Sequence, residues 1–161
     1  MVAGTCVTLD PGLRACGVAL WYDGVLVRAG AVRGPGTGRG PAVWAELADG
    51  VAKWVEPAPP GVLVVETMKV YVAGKGDPAD LIELSGVAGA VVGRLAAWRP
   101  EGVKAAEWNR QVPSHIQRQR SRTWVEQQGW LARVDLATTA RFQEDVWSAV
   151  GIGRWRMSQS R

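Results

Sequence analysis

Three carboxylates in this chain end, or sit within, segments that ought to be buried. Asp10 comes directly after the β-branched and apolar run TCVTL at 5–9 and is followed by Pro11 and Gly12. Glu66 ends the continuous apolar run VLVV at 62–65. Asp145 lies beside Val146, Val150 and Ile152, on the helix face shared by Ser148, Ala149 and Ile152. A carboxylate held against a buried sheet costs several kcal/mol unless a cation accompanies it. Three acids far apart in sequence that meet on one sheet suit divalent ions. Mg²⁺ takes oxygen ligands and keeps part of its shell for water and substrate phosphates. Two such ions about 4 Å apart can activate a water and stabilise a leaving 3′ oxygen. Each acid alone has a plainer reading. Asp-Pro-Gly makes a turn, Glu66 can pair with a basic side chain at a sheet edge, and Asp145 can serve a helix dipole. It is the three together, on one topology, that argue for chemistry.

The elements that would position these acids follow from periodicity and turn residues. Strands are predicted over 5–9, 17–21 and 25–31, the last two joined by an Asp23-Gly24 hairpin turn in which Gly accepts φ > 0. The loop RGPGTGRGP at 33–41 continues neither element. Val43, Leu47, Val51 and Trp54 recur at helical spacing and predict a helix over 42–56, stopped by PAPPG. The run at 62–65 reads as a strand buried on both faces. After a loop at 67–77, Asp77 caps and Pro78 opens a long helix over 77–98. A short strand at 103–106, a polar Arg-rich helix at 113–128 and a last helix at about 143–155 follow, with 129–141 unassigned. The order β-β-β-α-β-α-β-α-α predicts one α/β domain over 1–161: a mixed five-stranded sheet, its first three strands antiparallel, with helices on both faces.

Composition narrows the partners. The chain has 161 residues, 47% hydrophobic and 21% charged, which permits a core and argues against wholesale disorder. No run of roughly 18 apolar residues suggests a membrane span. No basic-then-apolar leader opens the sequence, so a cytoplasmic location is expected. Cys6 and Cys16 lack metal-ligand spacing and are expected to be reduced, buried thiols. The net charge of +4 is uneven: residues 1–93 carry 7 basic and 9 acidic side chains, and residues 94–161 carry 12 and 6. The C-terminal excess is mostly arginine, whose planar fork suits phosphate, so a polyanion is a plausible partner beside the plainer reading of a solvated surface.

The same segments resemble a family. TLDPGLRACGVALW is similar to the first strand motif of RuvC-type Holliday junction resolvases, within the RNase H-like nuclease superfamily: an apolar strand, Asp10-Pro11-Gly12, and Gly17 opening the second strand. VLVVET resembles the family's strand ending in Glu, here Glu66. LIELSGVAGAVVGRL resembles its small-residue helix, and EDVWSAVGIGRW its closing helix. Phage members look most similar in length and in the Trp after that last run. The resemblance implies an RNase H-like fold with Asp10, Glu66 and Asp145 as catalytic metal ligands for two Mg²⁺ (or Mn²⁺) ions. It implies a homodimer acting on four-way or otherwise branched DNA, in a bacterial cell or a phage-infected host. One departure stands out. The family usually has a second acid three residues after the one matching Asp145, and this chain has Ser148. Glu144 is the acid expected to compensate in part, although it lies about 100° around the helix from Asp145.

The resemblance also implies DNA contacts. The loop at 67–77 would probe the junction, with Tyr71 stacking on a splayed base and Lys69 and Lys75 beside it. AAEWNRQVPSHIQRQR resembles the phage-type stretch of Trp, Pro and basic residues, giving Arg110, His115, Arg118, Arg120 and Arg122 as phosphate contacts. His115 is the only histidine and a possible general base, although a phosphate contact or a surface position is the simpler role. Gly86, Gly89, Ala90 and Gly93 allow either tight packing on the sheet or a two-fold dimer contact, which would present two sites to a two-fold junction. The expected function is a metal-dependent endonuclease making paired symmetric nicks in four-way junctions. The alternatives are an RNase H-like nuclease on RNA–DNA hybrids or other branched DNA, and a catalytically weakened nucleic-acid-binding module. A sugar-kinase or actin-like ATPase is not expected, since two such lobes with a nucleotide cleft need far more than 161 residues.

Overall fold

The computed structural model describes residues 4–68, 77–110 and 112–159. The elements are β1 (Thr5–Asp10), β2 (Ala15–Tyr22), β3 (Val25–Arg33), α1 (Pro41–Val55), β4 (Val62–Thr67), α2 (Pro78–Arg94), β5 (Arg99–Lys104), α3 (Ala105–Asn109), α4 (Ser114–Gln127) and α5 (Ala140–Ser158), with a 3₁₀ turn at Leu131–Arg133. They build one five-stranded sheet in the order β3-β2-β1-β4-β5. β1, β2 and β3 are antiparallel neighbours, whereas β4 runs parallel to β1 and β5 parallel to β4. This is the mixed sheet expected from the element order. The β2–β3 hairpin turns at Asp23 (φ 48°) and Gly24 (φ 80°), the left-handed pair that a tight hairpin needs.

Side-chain alternation divides the core in two. Val7 and Leu9 of β1, with Leu63 and Val65 of β4, meet Leu47 and Val51 of α1 and Val87 and Val91 of α2. Cys6 of β1, Ala19 and Trp21 of β2 and Val64 of β4 face the other way and meet Val146, Val150 and Ile152 of α5. Strand side chains alternate with period two, so Thr8, Asp10 and Glu66 fall on the α5 face.

Several boundaries differ from the sequence expectation; β2 opens at Ala15, two residues before Gly17, and α5 runs over Ala140–Ser158 and not about 143–155. The last strand runs over Arg99–Lys104 and not 103–106. RPEGVK carries no apolar run; it is an edge strand, where Pro100 removes no hydrogen bond that the sheet needs, and Arg156 holds Glu101 at 2.9 Å. Residues 105 and 106 instead open α3, whose Glu107 carboxylate accepts from the Lys104 amide at 2.6 Å. α2 ends at Arg94, four residues short of 98. The unassigned stretch contains the 3₁₀ turn, after which Val134 bridges to Ala29 in parallel.

Candidate active site

Asp10 is the last residue of β1 and Glu66 the fifth of the six in β4. The parallel register pairs Leu9 with Val65, so one further step sets Asp10 beside Glu66 on the α5 face. The antiparallel register pairs Asp10 with Gly17 on β2. Gly17 explains how the third acid arrives: a Cβ there would overlap the backbone carbonyl of Asp145. The missing side chain lets α5 rest directly on β2 at Asp145. Gly12 does a related service, since a Cβ would overlap the Ala15 carbonyl and lie 3.4 Å from Asp145 Oδ2. The turn after Asp10 therefore closes tightly beside the Asp145 carboxylate.

α5 is fixed in this position by polar and aromatic contacts. The buried Thr8 hydroxyl donates to the Ala149 carbonyl at 2.7 Å and accepts from the Trp21 indole at 3.1 Å. The Trp21 ring occupies the space that a Cβ on Gly153 would fill. The small residues of SAVGIG are thus where β2 and its tryptophan approach the helix.

The three acids share one electrostatic environment. Burial pushes the Asp10 carboxyl well above its ordinary range, and the charges of Glu66 and Asp145 push it further; the Ser148 hydroxyl, hydrogen-bonded to it, and Arg118 act against this. Glu66 is raised by burial, opposed by the Trp108 indole, which donates to Oε2 at 2.9 Å. Asp145 is raised to about 6 by burial; Arg141 and Arg118 lower it and Glu144 raises it. Asp10 is the member that senses both of the others. Among the described residues no three His, Cys, Asp or Glu side chains are placed to hold one metal ion together. The donor chemistry nevertheless fits a hard divalent cation. All the groups are oxygens, their charge is buried and mutually repulsive, and Mg²⁺ is ordinarily held by one or two carboxylates with water and substrate phosphates completing the shell.

Ser148 is buried, and its hydroxyl is bound to Asp10. Glu144 is exposed and pairs with Arg118 at 3.4 Å. Arg118 is the one basic residue of α4 that reaches the acids. The others separate from it. Arg122 pairs with Glu126 on the exposed face, His115 is exposed in the first turn, and Arg110 and Arg120 line a cavity on the other side of α4. Lys69, Tyr71 and Lys75 lie outside the described residues. Trp108 and Arg141 belong to the site but were not singled out from sequence. A tryptophan between charged and polar residues gives no periodic signal, and only its indole N–H, facing a buried carboxylate, reveals its part.

No protein-family model and no curated protein matches the sequence. Solved structures do match. Thermus thermophilus RuvC in complex with a Holliday junction substrate superposes with a TM-score of 0.70 at 13% identity, covering 98% of this chain and 95% of that one. A second Thermus thermophilus RuvC structure gives 0.62 at 12% identity, with 96% of each chain covered. The yeast mitochondrial Holliday junction resolvase Ydc2 gives 0.56 at 9% identity, covering 96% of this chain and 81% of that one. With near-full coverage, the chain has the RNase H-like fold of the RuvC-type Holliday junction resolvases.

Proposed function

We propose that this protein is a structure-selective DNA endonuclease that hydrolyses phosphodiester bonds at four-way junctions. The observation that carries the reading is the meeting of Asp10, Glu66 and Asp145 on the α5 face, beside Arg118, in a fold shared with junction resolvases. Asp10, Glu66 and Asp145 would hold Mg²⁺ or Mn²⁺, which when bound supplies an activated water and charge stabilisation at the leaving oxygen. The chain's own residues supply the rest. Trp108 fixes one Glu66 oxygen, Ser148 fixes Asp10, and Arg118 offers a guanidinium to the phosphate that enters. The likeness of the stretch around Trp108 to phage members supports placing the protein with them, acting in the cytoplasm of a bacterial or phage-infected cell.

A two-fold dimer belongs to this reading, because two sites are needed for paired nicks. α2 offers the surface. Gly86 is filled by the Trp44 ring of α1, whereas Gly89 and Gly93 face open space and Ile82 on the same stripe is 66% exposed.

The test incubates the protein with labelled four-way junction, linear duplex and RNA–DNA hybrid, in Mg²⁺, Mn²⁺ or EDTA. Paired symmetric nicks on the junction alone, abolished by EDTA, are expected; cutting of the hybrid would overturn the junction assignment. A second reading, a catalytically weakened junction-binding module, is favoured by Ser148. It predicts tight binding with no cutting in either metal.

A further inference from the structure

α4 sends its arginines to two different places. Arg118 faces the carboxylates, and Arg120, two residues on and so about 200° around the helix, faces a cavity of about 260 Å³ between α3, α4 and the C-terminal half of α5. Arg110 and Arg154 line the same cavity, as do Trp108 and Trp155. No carboxylate is among its lining residues. Among the described residues no acid pairs with Arg110, Arg120 or Arg154, although Arg118 and Arg122 on the same helix each have one. Arg154 is held in place by the Trp124 ring, 5.9 Å from its guanidinium carbon, and by the Arg120 carbonyl at 3.4 Å. Three guanidiniums around one cavity repel each other unless an anion joins them, and their planar forks suit phosphate oxygens. Sites for drug-sized ligands run to about 300–1,000 Å³, so this space suits a phosphate with its sugar and not a whole cofactor.

The cavity adjoins the acid site through one side chain. The Trp108 ring packs on Gly151 of α5, one turn beyond Ser148, and forms part of the cavity wall. The indole N–H of the same ring holds Glu66. We propose that this cavity is a phosphate-binding pocket, separate from the acids, whose occupant is a backbone phosphate of the DNA strand that enters them. Its filling bears on the Glu66 carboxylate through Trp108. The choice of DNA as the source rests on the nuclease reading above; the phosphate chemistry does not.

The test uses the full chain with ¹⁵N-labelled indoles, in EDTA, so that neither metal nor cleavage enters. It is titrated with inorganic phosphate, with a short single-stranded oligodeoxynucleotide and with the uncharged methylphosphonate form of that oligonucleotide. The Trp108 and Trp155 indole signals, assigned with Trp108→Phe and Trp155→Phe, are expected to shift, while that of Trp54, stacked under Arg28 at 4.2 Å elsewhere, stays still and reports an intact fold. Arg120→Ala and Arg154→Ala should each weaken the response about tenfold, the loss expected for a charge-assisted contact. An oligonucleotide that binds more tightly than phosphate, with a silent methylphosphonate, assigns the backbone as source. Equal affinity for phosphate and oligonucleotide overturns that source in favour of free phosphate. No shift with either probe, or shifts unchanged in both arginine variants, overturns the pocket. Shifts that persist in a protein that cuts no junction would sink the nuclease reading and leave the pocket standing.

Discussion

The two faces of the central sheet are built from the same strands on opposite principles. Towards α1 and α2 the strands present Val7, Leu9, Leu63 and Val65, and the helices answer with Leu47, Val51, Val87 and Val91. Towards α5 the same two strands present Thr8, Asp10 and Glu66, and the helix answers with Asp145 and Ser148. The first face gains from every side chain it buries. The second has its own apolar cluster, Cys6, Ala19, Trp21 and Val64 against Val146, Val150 and Ile152, but at its acid end it also buries like charges, with specific contacts beside them: Thr8 to Ala149, Trp21 against Gly153, and Trp108 to Glu66. Both faces bury apolar side chains, and only the α5 face gives up part of that gain to place the acids.

The largest expected effect breaks this contrast at its centre. Asp10→Asn should reduce junction cleavage to background while leaving junction binding intact, because it would remove a proposed metal ligand and not the basic surface. It should also raise the unfolding temperature in EDTA, since the carboxylate it removes is the one both other acids repel. Cleavage assays, gel shifts and thermal melts on one preparation check all three. Cleavage retained would take Asp10 out of the chemistry.

On the opposite face the signs reverse. Leu47 is fully buried among Val7, Leu9 and their neighbours. Leu47→Ala should cost about 2–5 kcal/mol in denaturant unfolding. Cleavage per folded molecule should stay near wild type, because Leu47 touches none of the acids. A large loss of specific activity at unchanged stability would mean that the two faces are coupled.

The third prediction uses pH to separate them. Asp145 rises from an ordinary value of 3.8 to about 6, and Asp10 and Glu66 shift in the same direction. Well below the ordinary value of 3.8 these acids are protonated in folded and unfolded chains alike, so they cost nothing. As pH rises from about 4 to about 6 the unfolded chain ionises first, so the folded chain loses stability, on the order of 1–2 kcal/mol for Asp145 after allowing for its partial exposure. Melts in EDTA should therefore fall across this window, and Mg²⁺ should restore the loss only above it. In Asp145→Asn both the fall and the rescue should shrink. A melting temperature that rises from pH 4 to 6 would contradict the burial of these acids.

How much of this was legible in the sequence follows from the type of signal involved. The strands β1 to β4 showed because apolar runs and an Asp-Gly turn are local features. The convergence of Asp10 and Glu66 was readable in outline, since both end apolar strands, but their shared face depends on the β1–β4 register. β5 was misplaced because an edge strand with Pro100 and Glu101 needs no apolar run. Gly17 appeared as a motif residue, while its physical reason, the Asp145 backbone lying against it, is a long-range contact. Trp108 was missed because its role rests on one hydrogen bond across 42 residues of chain. The arginines of α4 read as one basic surface, whereas the helix directs Arg118 and Arg120 to different sites.

The smallest effect concerns Ser148, where the sequence departs from its resemblance. Its hydroxyl binds Asp10 and favours the ionised carboxylate, acting against burial and against the two neighbouring acids. Ser148→Ala should therefore leave the fold intact and move the Asp10 titration, and with it the rising limb of the cleavage pH profile, to higher pH, with a several-fold lower rate near neutrality. Ser148→Asp adds a fourth carboxylate at the same place. It should lower stability in EDTA, since it adds a like charge to acids that Arg118 and Arg141 offset only in part, and raise activity at limiting Mg²⁺ if the serine has weakened the site. Unchanged metal dependence in Ser148→Asp, together with an unshifted profile in Ser148→Ala, would mean that the hydroxyl neither weakens nor tunes the site. An alkaline shift in Ser148→Ala with no gain in Ser148→Asp would instead make the serine a working part, one that keeps Asp10 ionised beside Glu66 and Asp145.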